Sequence, residues 1–380
     1  MKVERALPTT QAVELLEVVS DFARDVLAPR AADAERDAVF PRDVFTTLGR
    51  MSLLGLPYPE EFGGSQLPYE VYLQVVEELS RAWLTVGIGV SVHSLACFPL
   101  ARFGTDAQRG RWLPDMLGGE LLGAYCLSEP DSGSDAGALR TRAERADPGY
   151  RLEGTKAWIT HAGHADFYTV MARTSDNGTH GISCFLVPGD ANGVRAGSPE
   201  KKMGLRGSPT GQVHLERVAV ESDRLVGAEG EGFTIALAAL DAGRLGIAAC
   251  SVGLAQAALD VALDYATQRQ QFGQPIGDFE GIGFLLADMA TGVAAGRALY
   301  LAAARRADAG DRFTMQAAMA KLFCTDMAMQ VTTDAVQVLG GYGYVEDYPV
   351  ERYLREAKAL QIVEGTNQVQ RLVISRQLRR

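Results

Sequence analysis

ALRTRAERADPGYRLEGTKAWIT, residues 138–160, decides how this chain folds. Two stretches of strand-like character flank Asp147-Pro148-Gly149, a turn triplet placed where a hairpin needs one. FYTVMART (167–174) and GISCFLV (181–187) repeat the texture, and Pro188-Gly189 and Asn192-Gly193 mark further turns. Short strands separated by turns, without the intervening helices of βαβ units, predict an antiparallel sheet domain over residues 121–228, closed as a barrel or sandwich.

On either side the period changes. Val13, Leu16, Val19, Phe22 and Ala23 recur at helical spacing, Glu77 and Glu78 lie in a second periodic segment, and residues 109–117 form a third. Pro57, Pro59, Gly63, Gly64 and Pro68 interrupt them as a loop. After Gly232 the helical period returns over 235–266, 281–309, 313–339 and 367–378, rich in alanine, which favours helix and close helix approach. The expected fold class is α+β: an N-terminal helical domain (1–120), the middle β domain (121–228) and a C-terminal four-helix-bundle domain (229–380).

The composition agrees and narrows the function. A chain of 380 residues, 47% hydrophobic and 22% charged, suits two to three folded domains rather than disorder. Lys+Arg 37 against Asp+Glu 47 gives a net charge of −10, which repels polyanions and excludes nucleic acid as an expected partner. Cys97, Cys126, Cys184, Cys250 and Cys324 are odd in number, far apart and without a CxxC pair, the usage of buried thiols in a reducing compartment. The first residues, MKVERALPTTQAVELLEVV, lack an apolar signal core, so a cytoplasmic location is expected. Residues 82–101 carry no Asp, Glu, Lys or Arg and approach the roughly 20 residues of a membrane span. Gly87, Gly89, Ser91, His93, Ser94 and Pro99 within them point to a buried core helix and no membrane.

Common motifs are missing. Neither GxGxxG nor GxxxxGK[ST] occurs to cradle phosphates, and there is no GxSxG elbow. His161 and His164 stand as HxxH on a strand-to-turn segment with no third ligand nearby, so no metal is expected.

Five segments are more particular than composition requires: YCLSEPDSGSD (125–135), GTKAWIT (154–160), RQQFG (269–273), QVLGGYGY (337–344) and IVEGTNQ (362–368). With the helix, sheet, helix order they resemble the acyl-CoA dehydrogenase family of flavoproteins over essentially the whole chain. LSEPDSGSDAGA, GTKAWIT and LDAGRLGIA (240–248) are most like its short-chain and branched short-chain members.

The resemblance implies FAD as cofactor and α,β-dehydrogenation of an acyl-CoA to the trans-2-enoyl thioester, with electrons passed to an electron-transfer flavoprotein. Glu364 matches the base that takes the α-proton while a hydride leaves the β-carbon, and its own backbone N–H matches a donor to the thioester oxygen. A carboxylate in an apolar pocket has its pKa raised towards neutrality, as a base working near pH 7 needs, and Ile362 and Val363 are expected to shield it. Tyr125, Leu127, Ser128, Trp158 and Thr160 match residues lining the flavin ring, and Thr366 and Gln368 match residues holding its phosphates or adenosine at a helix start. Arg269, Phe272, Gln337 and Gly341 match residues reaching the FAD of a neighbouring subunit, which implies a homo-oligomer, usually a tetramer built as a dimer of dimers. Ser134, Asp241 and Arg244 match substrate-binding positions, although Asp241 and Arg244 also have the i,i+3 spacing of a local salt bridge.

Two departures stand out. Val363 occupies a place where many relatives carry Tyr, and Gly243 one where another branch puts its base, leaving Glu364 as the single candidate. Two alternatives remain open at this level: an acyl carrier protein delivering the thioester, or a flavin-binding relative that has lost dehydrogenation.

Overall fold

Thr9 starts the first helix by accepting a hydrogen bond from the Ala12 N–H, and α1 (Thr10–Phe22) then buries Ala12, Leu16 and Val19. A π-helical turn, Ala23–Leu27, carries the chain without a break into α2 (Ala28–Asp37). α3 (Arg42–Arg50), α4 (Tyr69–Ala82), α5 (Leu84–Phe103) and α6 (Asp106–Leu117) follow, the last opened by a capping box between Thr105 and Gln108. This is a computed structural model, and it describes residues 3–379. The charge-free stretch is α5, long and apolar enough to cross a membrane but buried over most of its length inside the protein.

The middle of the chain forms one sheet of eight strands: β1 (Gly123–Cys126), β2 (Arg142–Ala146), β3 (Gly149–Thr160), β4 (Phe167–Arg173), β5 (Ile182–Pro188), β6 (Val194–Ala196), β7 (Thr210–Glu221) and β8 (Leu225–Val226). The order is β6-β7-β3-β2-β4-β5-β8, with β1 added alongside β4. β2 and β3 are the hairpin whose turn the sequence announces. Pairing is antiparallel except that β1 runs parallel to β4 and β2 touches β4 through a single parallel pair, Arg142 with Arg173. β1 enters from the helical domain, so it joins the sheet by a crossover rather than a hairpin, which allows the parallel direction.

α7 (Gly232–Gln268), α8 (Glu280–Asp308), α9 (Thr314–Leu339), α10 (Val350–Leu360) and α11 (Asn367–Leu378) complete the fold, with a small hairpin of β9 (Gln270–Gln271) and β10 (Gln274–Pro275) after α7. α7 is the hub: it packs against α8, α9 and α10 of its own domain and against α4 and α5 of the first. It meets α5 so closely that a Cβ at Gly246 would lie 2.1 Å from Ser91 Oγ and force that hydroxyl aside. The first and last helical segments therefore share one core, running from Leu16 to Leu360. α8 differs from α5 and α7: also long and apolar enough to cross a membrane, it has only 17% of its most apolar stretch buried, leaving residues such as Phe284 facing outward.

Candidate active site

Glu364 lies in the turn between α10 and α11 with φ 54, and Gly365 after it has φ 85. Two successive left-handed residues reverse the chain, and for a residue with a Cβ that conformation persists only where its surroundings enforce it. They do so here. Gln370 Nε2 donates to the carbonyls of Glu364 (3.1 Å) and Gly365 (2.8 Å), and Lys321 Nζ donates to Gly365 O (3.0 Å) and Asn367 Oδ1 (2.8 Å). Asn367 Nδ2 in turn donates to Asp326 Oδ1 at 2.7 Å, and Thr366 caps α11 by accepting from the Val369 N–H.

The Glu364 carboxylate points into the junction of the two helical segments. Its Oε2 is buried without a hydrogen-bond partner among the described residues. A Cβ placed on Gly243 of α7 would stand 2.9 Å from that oxygen and 3.3 Å from Leu95 Cδ1 of α5. Burial pushes the carboxyl up to about 7, against the pull of Arg244 and Lys321 in the other direction. The shield is not the expected one: Ile362 and Val363 are 55% and 38% exposed. The left-handed step at Glu364 turns its side chain inward while its sequence neighbours face out, so α5, α7 and the tyrosines described next dry the carboxylate instead.

Tyr69, at the start of α4, donates its hydroxyl to Ala242 O at 3.0 Å, and the Tyr125 hydroxyl on β1 is buried with no partner among the described residues. Burial raises both phenols well above their ordinary range, and the charge of Glu364 adds to the effect on each. Asp241 and Arg244 form the local ion pair that their spacing allows, Nη1 to Oδ1 at 2.5 Å, and Thr314 donates to the other carboxylate oxygen at 2.6 Å. Arg244 is buried and its Nε is unpartnered among the described residues, so one donor of a fixed cation remains unused within reach of the Glu364 field.

The residues expected at a flavin ring cluster on two strands. Tyr125 is on β1, Leu127 and Ser128 directly follow it, and Trp158 and Thr160 end β3. The loop after β1 is tied to β3 by the Ala157 N–H donating to Ser128 O (2.9 Å) and by Lys156 Nζ donating to Leu127 O (3.2 Å). Lys156 also pairs with Glu129, at 2.8 Å, in a buried salt bridge. Trp158 sits in a break in the β3–β7 register between Lys156 and Ile159, with φ 62 and 66% of the residue exposed. A large apolar ring turned outward on strained backbone is costly unless something covers it.

Arg269, Phe272, Gln337 and Gly341 are all exposed and lie apart from the Glu364 cluster in sequence and element. Arg269 ends α7 with its guanidinium 5.7 Å from the Tyr342 ring, which draws the RQQFG and GGYGY segments together. Phe272, in the turn between β9 and β10, is 95% exposed. Gln368 is exposed in the first turn of α11, and Ser134 is exposed on the loop after β1. His161 and His164 both pack their rings against Phe40.

Sequence reasoning passed over Tyr69, Leu95, Lys321, Asn367 and Gln370. A lone lysine within AAMAKLFC, a helical run otherwise without charge, is the one available signal. The set as a whole holds a carboxylate whose Oε2 is buried and partnerless and whose pKa lies near neutrality, together with an exposed aromatic side chain on β3. That combination can take a proton from a carbon acid and leave a planar cofactor room to stack. The orphaned Tyr125 hydroxyl and the uncovered Trp158 indole fit an isoalloxazine-sized partner, and the first turn of α11 fits its anionic portion.

Three family models cover nearly the whole chain: acyl-CoA dehydrogenase N-terminal domain over residues 9–120, middle domain over 124–218 and C-terminal domain over 230–379. The chain is 45% identical to an acyl-CoA dehydrogenase of Bacillus subtilis, over 97% of this chain and 98% of that one. Among solved structures, butyryl-CoA dehydrogenase from Megasphaera elsdenii superposes with a TM-score of 0.96 at 39% identity, covering 100% of both chains. A structure described as electron transferring flavoprotein of Acidaminococcus fermentans gives a TM-score of 0.97 at 41% identity, again over 100% of both.

Proposed function

The chain belongs to the acyl-CoA dehydrogenase family of FAD enzymes, and from that premise we infer that it oxidises a short or branched short-chain acyl-CoA to its trans-2-enoyl-CoA. The observation that carries the reading is Glu364: a dry carboxylate, free of hydrogen bonds at Oε2, on a turn that fixes its direction.

Glu364 removes the α-proton. Its pKa near 7 leaves it largely ionised just above neutrality yet basic enough to accept a proton from carbon. The acidity of that carbon depends on polarising the thioester carbonyl, and the Glu364 N–H, which donates to no backbone acceptor among the described residues, is available for it. Bound FAD supplies the acceptor for the hydride that leaves the β-carbon. Tyr125, Leu127, Ser128, Trp158 and Thr160 hold and orient the ring, and Thr366 and Gln368 receive its anionic part. Arg244, with Asp241 fixing its orientation, and Ser134 line the approach of the thioester.

Arg269, Phe272, Gln337 and Gly341 complete the cofactor site of a neighbouring copy, and the uncovered apolar side of α8 supplies the contact, so the working unit is a homo-oligomer, a tetramer in our reading. Likeness to butyryl-CoA dehydrogenase supports a short acyl chain, and likeness to the A. fermentans structure supports an electron-transfer flavoprotein as acceptor. Five free, buried cysteines fit the reducing cytoplasm. The test is anaerobic titration of the yellow protein with short, branched and medium acyl-CoAs. Bleaching of the flavin band by short or branched thioesters is expected. Bleaching by none of them would sink the assignment and turn attention to carrier-protein thioesters.

A further inference from the structure

We propose that Lys321 is a positioning residue for Glu364: its ammonium group fixes the turn that aims the carboxylate and adds a positive charge on that side of it. The inference rests on Glu364 being the α-proton base.

Lys321 lies on α9 among Ala317, Ala318, Ala320 and Cys324, all buried, and is itself 0% exposed. Burying an ammonium group is unfavourable unless its donors find acceptors. Those it finds are in the turn that bears the base and at the first residue of α11 after it: Gly365 O at 3.0 Å and Asn367 Oδ1 at 2.8 Å. The Asn367 amide is oriented for this, since its Nδ2 donates to Asp326 Oδ1 (2.7 Å), which turns its oxygen to the lysine, with the Thr325 hydroxyl within hydrogen-bond distance of both ends of the amide. Hydrogen bonds from a charged donor are the stronger and more directional kind, so the left-handed Glu364–Gly365 step is held by a charged latch from α9 on one side and by Gln370 on the other.

The same placement acts on charge. The groups that act on Glu364 are Arg244 on α7, Lys321 on α9, Tyr69 on α4 and Tyr125 on β1, with Asp241 against Arg244 and Asp326 against Lys321. Both phenols stay neutral. Arg244, paired with Asp241 at 2.5 Å, pulls on Glu364 more strongly, and Lys321, which donates to two neutral oxygens and has Asp326 as a neighbouring carboxylate, adds to that pull. Burial draws the lysine down to about 7 and raises Glu364 to about 7, and the opposite charge of each group works against the shift of the other. A core residue needed only to fill space would be an apolar side chain here.

The experiment uses the holoenzyme and two variants, Lys321→Gln, which keeps a donor and loses the charge, and Lys321→Arg, which keeps the charge. The infrared band of the protonated Glu364 carboxyl, identified as the band missing from Glu364→Gln, is followed against pH without substrate, beside the acid limb of kcat/KM. In Lys321→Gln the midpoint of both should rise by about one pH unit, with turnover below the midpoint falling roughly 10-fold and recovering in alkali; Lys321→Arg should keep the wild-type midpoint. A folded Lys321→Gln with the wild-type midpoint, or a Lys321→Arg that shifts as far as Lys321→Gln, overturns the proposal. Loss of the fold in both would assign Lys321 to the core alone and overturn it equally. Failure of the base assignment shows separately, as unchanged turnover in Glu364→Gln.

Discussion

Gly243 and Glu364, 121 positions apart in sequence, face each other so closely that a single methyl group on the first would stand 2.9 Å from Oε2 and 3.2 Å from Cδ of the second. The Glu364 carboxylate occupies the space that the missing side chain leaves. Gly243→Ala should therefore displace the end of a flexible side chain rather than backbone. Turnover should fall at least ~10-fold through misplacement of the base. Stability should hold or rise, because alanine in a helix interior is favoured over glycine by about 1 kcal/mol. Steady-state kcat and the melting temperature, measured together, check this; a parallel loss of both would mean that α7 itself is disrupted.

Glu364→Gln separates chemistry from stability. Turnover should fall by ~10²-fold or more with FAD still bound. The stability effect has a definite sign. The folded-state pKa, about 7, lies above the ordinary glutamate value of 4.5, so the folded protein binds the extra proton and the wild type loses stability as pH rises from about 4.5 to 7. Glutamine cannot ionise. The variant should be the more stable protein above pH 7, by a few kcal/mol at most, and the advantage should vanish near pH 4.5. Urea unfolding at several pH values tests it, and an advantage that grows towards acid would contradict the buried, neutralised carboxyl.

Trp158 adopts φ 62 in a register break and leaves 66% of its surface exposed, so it adds strain and little burial to the folded chain. In Trp158→Gly the left-handed backbone becomes permissible, a relief of ~1–2 kcal/mol. The flavin-free protein should melt no lower than the wild type. Affinity for FAD should weaken by roughly 10-fold with the loss of the aromatic face. Fluorescence titration of the flavin-free protein measures the second effect; unaltered affinity would remove Trp158 from the ring contacts.

What the sequence makes legible here is whatever is local. The hairpin at Asp147-Pro148-Gly149 and the turn before α11 carry their own residues, and Thr366 caps α11 within one turn of Glu364. The contacts that make the site work are tertiary and leave no periodic trace: Gly243 against Glu364, Tyr69 onto Ala242, Lys321 across to Gly365. Ile362 and Val363 mislead for a related reason, since adjacency in sequence says nothing about direction once φ changes sign at the next residue. Trp158 misleads through propensity: tryptophan in a β run predicts a regular strand position, and only the pairing register reveals the break.

Phe284 is 62% exposed on α8, a helix otherwise apolar enough to belong inside a protein. If α8 is covered by a second copy, Phe284→Asp places an unpaired carboxylate in the contact and should split the oligomer into smaller species at micromolar concentration. Bound FAD should fall with it, because Arg269 and Phe272 would no longer meet a neighbour. Sedimentation velocity and the flavin-to-protein absorbance ratio give both readouts, and an unchanged sedimentation profile would place the subunit contact elsewhere.

The first and third domains are locked at Glu77, fully buried on α4, whose carboxylate accepts from Arg297 Nη2 (2.8 Å) and the Tyr300 hydroxyl (2.5 Å) of α8 and pairs with Arg5 Nη1 (2.6 Å). Burial alone would raise this carboxyl, but Arg5 and Arg297 outweigh it and hold it below the usual range. A depressed carboxylate pKa stabilises the fold above the unfolded value, near 4.5, and that contribution is lost as pH falls below it. Arg297→Met should cost ~3 kcal/mol or more, since it strands part of a buried negative charge. Adding Glu77→Gln to Arg297→Met should recover much of the loss, because the charge that needed a partner is then gone. Denaturant melts of the two single variants and the double variant, at pH 7 and pH 4, give the coupling. Strict additivity at pH 7 would show that the pair does not hold the domains together.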